Sequence, residues 1–433
     1  MHRQRWSAAA AALLAVTAWL VPTTAAAGPP PPGVCDTPEP PGSVIADRPW
    51  PQRLFDAQRI WPLTTGTGIT VAVLDTGVDG AHPQLSGQVL PGFDFVRNTP
   101  GADFDCTSHG TAVASLIAAK HIDGTAFEGL AQGVKILPLR VTDKPDSPVN
   151  PDVLAQAIRY AADQGAKIIN ISVALDKDAQ PLSQAVDYAI TTKGCLVVAT
   201  VGAHHPTTDA ELPPIGSARN PVPNDPSSYP AAYENVLGVA AVDDHQSRVP
   251  TSQVGSYVDL SAPGAQILAA TRASGHQSFK DPTLAPAFVS AAAALLWSSQ
   301  PYLKNSDVSW RLRITSDRIA GGGRSNEFGY GMLDPYRAVT EAPPRENPAS
   351  GPALPPASAT TPSSGWSSAA LTGLAVALTV LLATAALFAL RPAIRRGRER
   401  GWRPGEPTPP APPADTPEHL FFTPAARAPR DSG

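Results

Sequence analysis

The chain has 433 residues, enough for one large α/β domain with additional segments, and it contains 49 prolines against 34 glycines. That proline content indicates that much of the chain outside the domain is linker rather than packed core. A formal net charge of −4 argues against nucleic acid as a partner.

The N-terminal region has the pattern of a secretory signal peptide. Basic residues near the start precede an apolar run over residues 8–21, and Ala25-Ala26-Ala27 offers a cleavage site of small residues. We expect cleavage after Ala27, so that residues 1–27 are removed; a retained signal anchor is the alternative. Residues 28–55 then form an N-terminal extension. Its proline-rich first part predicts an extended segment that lies on the rest of the protein.

Residues 56–340 alternate between predicted strands and predicted helices. The strands are expected at 70–75, 135–141, 166–172, 195–202, 236–242 and 258–260. The helices are expected at 109–120, 151–164, 181–193, 285–298 and 306–316. This alternation predicts an α/β fold in which helices cover both faces of a parallel sheet. The polar, proline-rich stretch 204–226 predicts a long surface loop.

Two segments carry the residues that we select for catalysis. The first predicted strand ends in Asp75-Thr76-Gly77, so it delivers a carboxylate to a turn at the C-terminal end of a buried strand. The second segment places His109 at the start of a helix of small residues. An Asp followed by a His indicates an acyl-transfer site. An aspartic protease is disfavoured because no second Asp-Thr-Gly stands in a matching half, and the next acid, Asp79, is wrongly spaced for phosphoryl transfer.

With these motifs the sequence resembles the subtilisin-like serine proteases and, within them, the mycosins, the membrane-anchored members associated with type VII secretion in actinobacteria. The resemblance extends from about Ala57 to Val339. It rests on an ordered set of blocks at residues 73–79, 109–114, 169–172, 229–231, 258–264 and 329–335. It implies a subtilisin-like parallel sheet and a Ser-His-Asp mechanism in which Asp75 holds His109 and His109 takes the proton of a serine.

The serine of that mechanism is not matched. The family's nucleophile motif reads Gly-Thr-Ser-x-Ala-x-Pro, and an ungapped count back from Pro301 places Asp281-Pro282-Thr283 over its first three residues. Thr283 then stands at the nucleophile position. A rival alignment uses Ser278 instead, but it needs extra residues before the following helix.

Further family positions in the same cleft also differ. The family's asparagine, whose side-chain amide joins the nucleophile's N–H in the oxyanion hole, corresponds to Ala203, which has no donor. The substrate-pairing Ser-x-Gly corresponds to Ser172-Val173-Ala174. Asp281 replaces a glycine, and Pro282 removes an N–H from a turn that approaches the substrate. These departures predict impaired peptide hydrolysis.

The three cysteines of a secreted chain allow one disulfide. Cys195 opens an apolar run that predicts a buried strand, so we expect Cys35 and Cys106 to form the bridge. The bridge would tie the N-terminal extension to the loop that carries His109. Mycosins are similar in this respect, with a disulfide-tethered N-terminal segment around the protease domain.

The C-terminal part predicts a membrane anchor. Residues 341–367 are mainly Pro, Ala, Ser and Thr and predict a flexible linker. Residues 368–390 carry no charge and are long enough to cross a bilayer. Arginines follow from Arg391 onward, which predicts that residues 391–433 form a cytoplasmic tail and that the domain lies outside the cell membrane, on a single span.

Three functions follow from these observations. The first is a mycosin-like subtilase of a type VII secretion system, catalytically impaired and with a structural or docking role; its partners would be membrane components of that system or secreted polypeptides. The second is an active endopeptidase that processes secreted proteins with Thr283 or Ser278. The third is a surface module that binds peptides without cutting them. We expect no cofactor and no metal ligands.

Overall fold

The computed structural model describes residues 38–145, 147–204, 224–318 and 323–342, together with Cys35 and a few separate positions between 379 and 397. Every element below belongs to a compact unit that ends at Arg345. The predicted signal peptide, the predicted linker after residue 342 and most of the predicted loop 204–226 lie outside the described residues. The predicted span 368–390 does too, apart from single positions.

The strands and helices alternate along this unit. The strands are β1 (Thr70–Asp75), β2 (Phe93–Asp94), β3 (Thr99–Pro100), β4 (Lys135–Arg140), β5 (Ile168–Ile171), β6 (Leu196–Thr200), β7 (Leu237–Val242), β8 (Leu260–Pro263), β9 (Ile267–Ala270) and β10 (His276–Phe279). The helices are α1 (Trp50–Phe55), α2 (His109–Ala118), α3 (Pro151–Asp163), α4 (Gln180–Asp187), α5 (Ala285–Ser299), α6 (Asn305–Ile314) and α7 (Pro335–Thr340).

One eight-stranded sheet in the order β3-β2-β4-β1-β5-β6-β7-β8 forms the centre of the unit. Every neighbouring pair in it is parallel except β2 and β3. This mostly parallel α/β sheet flanked by helices confirms the predicted fold class. Strand β1 lies in the interior of the sheet between β4 and β5, and it is buried from Val71 to Asp75.

The side chains of β1 alternate between two apolar cores. Val71 and Val73 belong to the core that contains the buried residues of α2 and α5, whereas Ala72 and Leu74 belong to the core of α3 and α4. Successive side chains of a strand point to opposite faces, so a strand with a core on each side is apolar at every position. This explains why β1 has an uninterrupted apolar sequence.

Helix α5 is the central helix of the first core. It is buried from Ala285 to Trp297, and its small side chains allow close contact with neighbouring elements. Among the described residues, one helical stretch, Pro282–Ser299, is long and apolar enough to cross a membrane, but 83% of it is buried inside the unit. It is therefore the core helix of the domain rather than the predicted anchor.

The N-terminal extension is fastened to the domain by one covalent bond and several hydrogen bonds. Cys35 and Cys106 form a disulfide with their Cα atoms 5.5 Å apart. Close to the bridge, the N–H of Glu39 donates to the carbonyl of Cys106. Further along, Ser43 forms an antiparallel bridge with His276 at the start of β10. The extension thus lies against both the His109 loop and the β9–β10 hairpin.

Candidate active site

Asp75 ends β1 inside the protein. Its side chain is 1% exposed, and its Oδ1 accepts a hydrogen bond from the N–H of Thr76 at 2.7 Å. The chain then turns at Gly77 with a φ of +102°, where a Cβ would lie 2.1 Å from the carbonyl oxygen of Phe104. Only glycine fits such a position. The Asp-Thr-Gly sequence therefore places a buried carboxylate at the end of the central strand.

His109 is the first residue of α2, and it contacts that carboxylate. Its Nδ1 lies 2.7 Å from Oδ1 of Asp75, and the ring is 3% exposed. The close approach depends on Gly110, where a Cβ would lie 2.0 Å from the carbonyl oxygen of Gly77. The hydrogen bond at Nδ1 leaves Nε2 as the ring nitrogen that faces the cleft.

Asp105 connects the two segments, and sequence reasoning missed it. Its Oδ1 accepts from the hydroxyl of Thr76 at 3.0 Å, and its Oδ2 accepts from both the N–H and the hydroxyl of Thr111. Complete burial raises its pKa, while the hydrogen bonds from Thr111 and Thr107 oppose that rise. Asp105 thus fixes the turn after Asp75 against the first turn of α2. In the sequence, Asp105 is recognisable only as an acidic residue shortly before His109.

The structure brings Thr283 to His109. Thr283 lies in the short helical turn Pro282–Leu284 that precedes α5, and its Oγ1 is 3.0 Å from Nε2 of His109. The rival candidate Ser278 lies on β10, where it is paired with Leu268 of β9. Asp75, His109 and Thr283 therefore lie next to one another in that order, the arrangement of a catalytic triad, with Thr283 at the position that the ungapped alignment gives it.

The carboxylate of Asp281 contacts both Thr283 and His109. Its Oδ1 accepts from the N–H of Thr283 at 2.9 Å and from the hydroxyl of Thr283 at 2.6 Å. Its Oδ2 lies 3.3 Å from Nε2 of His109. The backbone at Asp281 has a φ of −139°, which any residue adopts, so the acid does not distort the turn. Asp281 therefore adds a carboxylate to the centre, and the backbone at this position is extended.

The two carboxylates determine the charge of the imidazole. Burial lowers the pKa of His109, but the negative charges and hydrogen bonds of Asp75 and Asp281 outweigh it, so that the pKa lies well above its usual value. Burial likewise raises the pKa of Asp281, but hydrogen bonds from His109 and Thr283 and the charge of His109 lower it to about 2. His109 thus lies between two acidic side chains, and both of them favour its protonated form.

The cleft next to Thr283 is open, and its described lining has an alanine where the family has the asparagine of the oxyanion hole. A cavity of about 560 Å³ is bounded by the ends of β5 and β6 and by the start of α3; its lining includes Ser172, Val173, Ala174, Ala203 and Thr283. Ala203 follows β6 and contributes only a methyl group. The predicted substrate-pairing segment and the predicted oxyanion position thus lie beside the nucleophile position, and residue 203 has no side-chain amide.

The described residues contain one group whose ligand atoms lie close enough together for a metal ion, namely Asp243, Asp244 and His245. This group lies in a surface turn after β7. The Oδ1 atom of Asp243 already accepts hydrogen bonds from the N–H groups of His245 and Ser247. The acids therefore have a role in the turn, and the group lies outside the cleft lining.

A parallel α/β sheet with Asp75 at the end of β1 and His109 at the start of α2 defines a subtilisin-like protein. The Subtilase family model, Peptidase_S8, matches residues 66–331. The chain belongs to the subtilase family.

Curated relatives include both serine proteinases and mycosins. The thermophilic serine proteinase of a Bacillus species is 36% identical over 274 residues, a match that spans 63% of this chain and 62% of that protein. Mycosin-1 of Mycobacterium tuberculosis is 33% identical over 331 residues, covering 66% of this chain and 72% of that protein.

Solved mycosin structures have the same fold. MycP1 with its N-terminal propeptide removed is 30% identical with a TM-score of 0.60, covering 70% of this chain and 99% of that one. A chain in the structure of an intact ESX-5 inner membrane complex is 27% identical with a TM-score of 0.61, covering 82% of this chain and 94% of that one. The chain is thus a mycosin-like subtilase in sequence and in fold.

Proposed function

We propose that this chain is a mycosin-like component of a type VII secretion system whose catalytic centre is impaired and which has a structural or docking role. The similarity to Mycosin-1 and to a chain of the ESX-5 inner membrane complex supports the assignment to that system. Its partners are then membrane components of the secretion complex or the polypeptides that pass through it.

One observation carries the impairment: at the two family positions for oxyanion donors, the described structure has an alanine side chain and an N–H that is already bonded. Acyl transfer needs donors aimed at the oxygen that becomes negatively charged in the transition state. Ala203 offers none, and the N–H of Thr283 donates to Asp281 instead of to a substrate. Loss of a single oxyanion donor lowers turnover by about 10²–10³ in enzymes of this type.

The nucleophile position adds to this loss. The hydroxyl of Thr283 donates to Asp281 at 2.6 Å. The acids beside His109 favour its protonated ring, which has no lone pair at Nε2 with which to accept a proton. The methyl group of threonine restricts χ1 and crowds the approach to a carbonyl carbon. General-base activation of the hydroxyl is therefore blocked in the resting centre.

A secretion assay tests the structural role. We expect that replacing Thr283 by valine, which keeps the shape and removes the hydroxyl, leaves secretion by the type VII system at the wild-type level, whereas deletion of the whole chain abolishes it. Secretion that fails in Thr283→Val, with the chain still present in the membrane, would show that the system needs its chemistry. Secretion that persists in the deletion strain would contradict a role in the apparatus.

The proposal includes a membrane anchor. Residues 1–27 would be removed as a signal peptide, 28–55 and 56–340 would lie outside, and 341–367 would link them to a single span at 368–390. A linker of 27 residues has a root-mean-square reach of roughly 30 Å, which keeps the domain close to the membrane. This placement suits a protein that meets a translocation complex rather than a diffusing substrate.

Protease treatment of intact cells tests this topology. We expect the external domain to be digested and a fragment that contains residues 391–433 to be protected, because the arginines after the span favour the cytoplasmic side. An antibody against the C-terminal tail reports the fragment, and lysed cells provide the control. A tail that is digested in intact cells would overturn the proposed orientation.

A further inference from the structure

The carboxylate of Asp281 contacts every group that a working subtilase centre must keep free at the nucleophile. It accepts from the hydroxyl that should attack and from the N–H that should bind the oxyanion, and it lies 3.3 Å from the ring nitrogen that should act as the base. Two of these contacts use Oδ1, and the contact with His109 uses Oδ2.

Part of this arrangement is an ordinary helix cap. The bond from the N–H of Thr283 to Oδ1 of Asp281 caps the short turn Pro282–Leu284. A cap needs one side-chain oxygen, and Asn or Ser provides it as well as Asp does. The contact between Oδ2 and His109 is not needed for the cap, so the cap and the ion pair can be separated by substitution.

The ion pair acts on the protonation state of His109. A general base must present an unprotonated Nε2 to the nucleophile's hydroxyl. A single buried carboxylate at Nδ1, supplied by Asp75, orients the ring, whereas a second negative charge at Nε2 favours the protonated ring. Asp281 itself is a poor substitute base, because its charged form is stabilised by the same contacts.

We propose that Asp281 is an inhibitory positioning residue of the catalytic centre. Its carboxylate pairs with protonated His109 and accepts hydrogen bonds from both the N–H and the hydroxyl of Thr283. This inference rests on the proposed impairment and adds a second cause to it: besides the missing amide at Ala203, the centre is blocked by a contact that can be lost. Movement of the Asp281 turn away from His109 would remove the negative charge beside Nε2 and free both donors of Thr283.

The test follows the titration of His109 by NMR in the full-length protein, with ¹³C-labelled histidine and a His109→Gln variant to assign the signal. In the wild type we expect the imidazolium signal to persist above the usual histidine range. In Asp281→Asn, which keeps the cap and the shape, we expect the pKa of His109 to fall by about 1–3 units. Asp281→Ser, which also supports a cap, provides a second variant in case the first does not fold.

Asp176→Asn is the matched control, because Asp176 is an exposed carboxylate that lines the same cavity. It should leave the titration of His109 unchanged. A wild-type His109 that titrates in the usual range, or an unchanged titration in both Asp281 variants, would overturn the inference. Hydrolysis by the wild type would instead contradict the proposed impairment, so the two failures are distinguishable.

Discussion

Adding Asp281→Gly to a chain that already carries Thr283→Ser and Ala203→Asn should raise peptide hydrolysis by about 10²-fold or more, because it frees the general base. The two earlier substitutions restore an unhindered nucleophile and the second oxyanion donor. Neither of them removes the carboxylate from His109. We therefore expect the double variant to remain close to inactive despite its complete set of catalytic side chains.

The glycine substitution is structurally mild. The backbone at position 281 is extended and the side chain is 24% exposed, so glycine leaves no large cavity. Hydrolysis of a fluorogenic peptide measures the gain, and His109→Ala in the triple variant should abolish it. Strong hydrolysis by the double variant alone would show that the Asp281 carboxylate does not block the centre.

Loss of the disulfide should have the largest effect on stability. The bridge joins cysteines 71 residues apart, and a loop of that length corresponds to about 4 kcal/mol of stabilisation in the chain-entropy model. We expect Cys35→Ser to lower the free energy of unfolding by about that amount, because the unfolded chain would no longer be restricted by the closed loop. Denaturant unfolding of the full-length protein measures the change.

Cys195→Ala is the control for this prediction. Cys195 is buried and free, its S–H donates to the carbonyl of Ala166, and burial raises the pKa of its thiol to about 11. Removing it costs one hydrogen bond and a small packing contact, so we expect a loss of about 1 kcal/mol. If Cys35→Ser lowered the free energy of unfolding by no more than Cys195→Ala does, the bridge would add nothing beyond local contacts.

The parts of the fold that could be predicted are those fixed by local sequence chemistry. The apolar run of β1 followed by Asp75-Thr76-Gly77 predicted a buried strand and its turn, because glycine is required where the chain turns beneath the carbonyl of Phe104. The run of small residues after His109 predicted helix α2, which begins at that residue. Only one or two residues differ at most element ends, where fraying makes boundaries variable.

The parts that could not be predicted depend on contacts between distant segments. The β9–β10 hairpin was missed because its second strand pairs with Ser43 of the N-terminal extension as well as with β9. Strand β8 covers Leu260–Pro263 rather than 258–260, since its register is set by β7. Helix α4 ends at Asp187 and continues as a wider turn over Tyr188–Thr192.

The same limit applies to the candidate site. The sequence showed an acid at position 281 where the family has glycine, but it did not show where the carboxylate points. Its contacts with His109 and Thr283 depend on how the turn before α5 lies against α2. Asp105 was missed for a similar reason, because its partners Thr76 and Thr111 meet only in the folded chain.

Labelling of the full-length protein with a fluorophosphonate probe tests the central claim, the impairment of the catalytic centre, most directly. The probe forms an adduct only with a hydroxyl that a neutral histidine activates beside a functional oxyanion hole. We expect no adduct on the wild-type chain and a clear adduct on the triple variant, located by peptide mass spectrometry at the serine introduced by Thr283→Ser. An adduct on wild-type Thr283 that is lost in Thr283→Val would contradict the account.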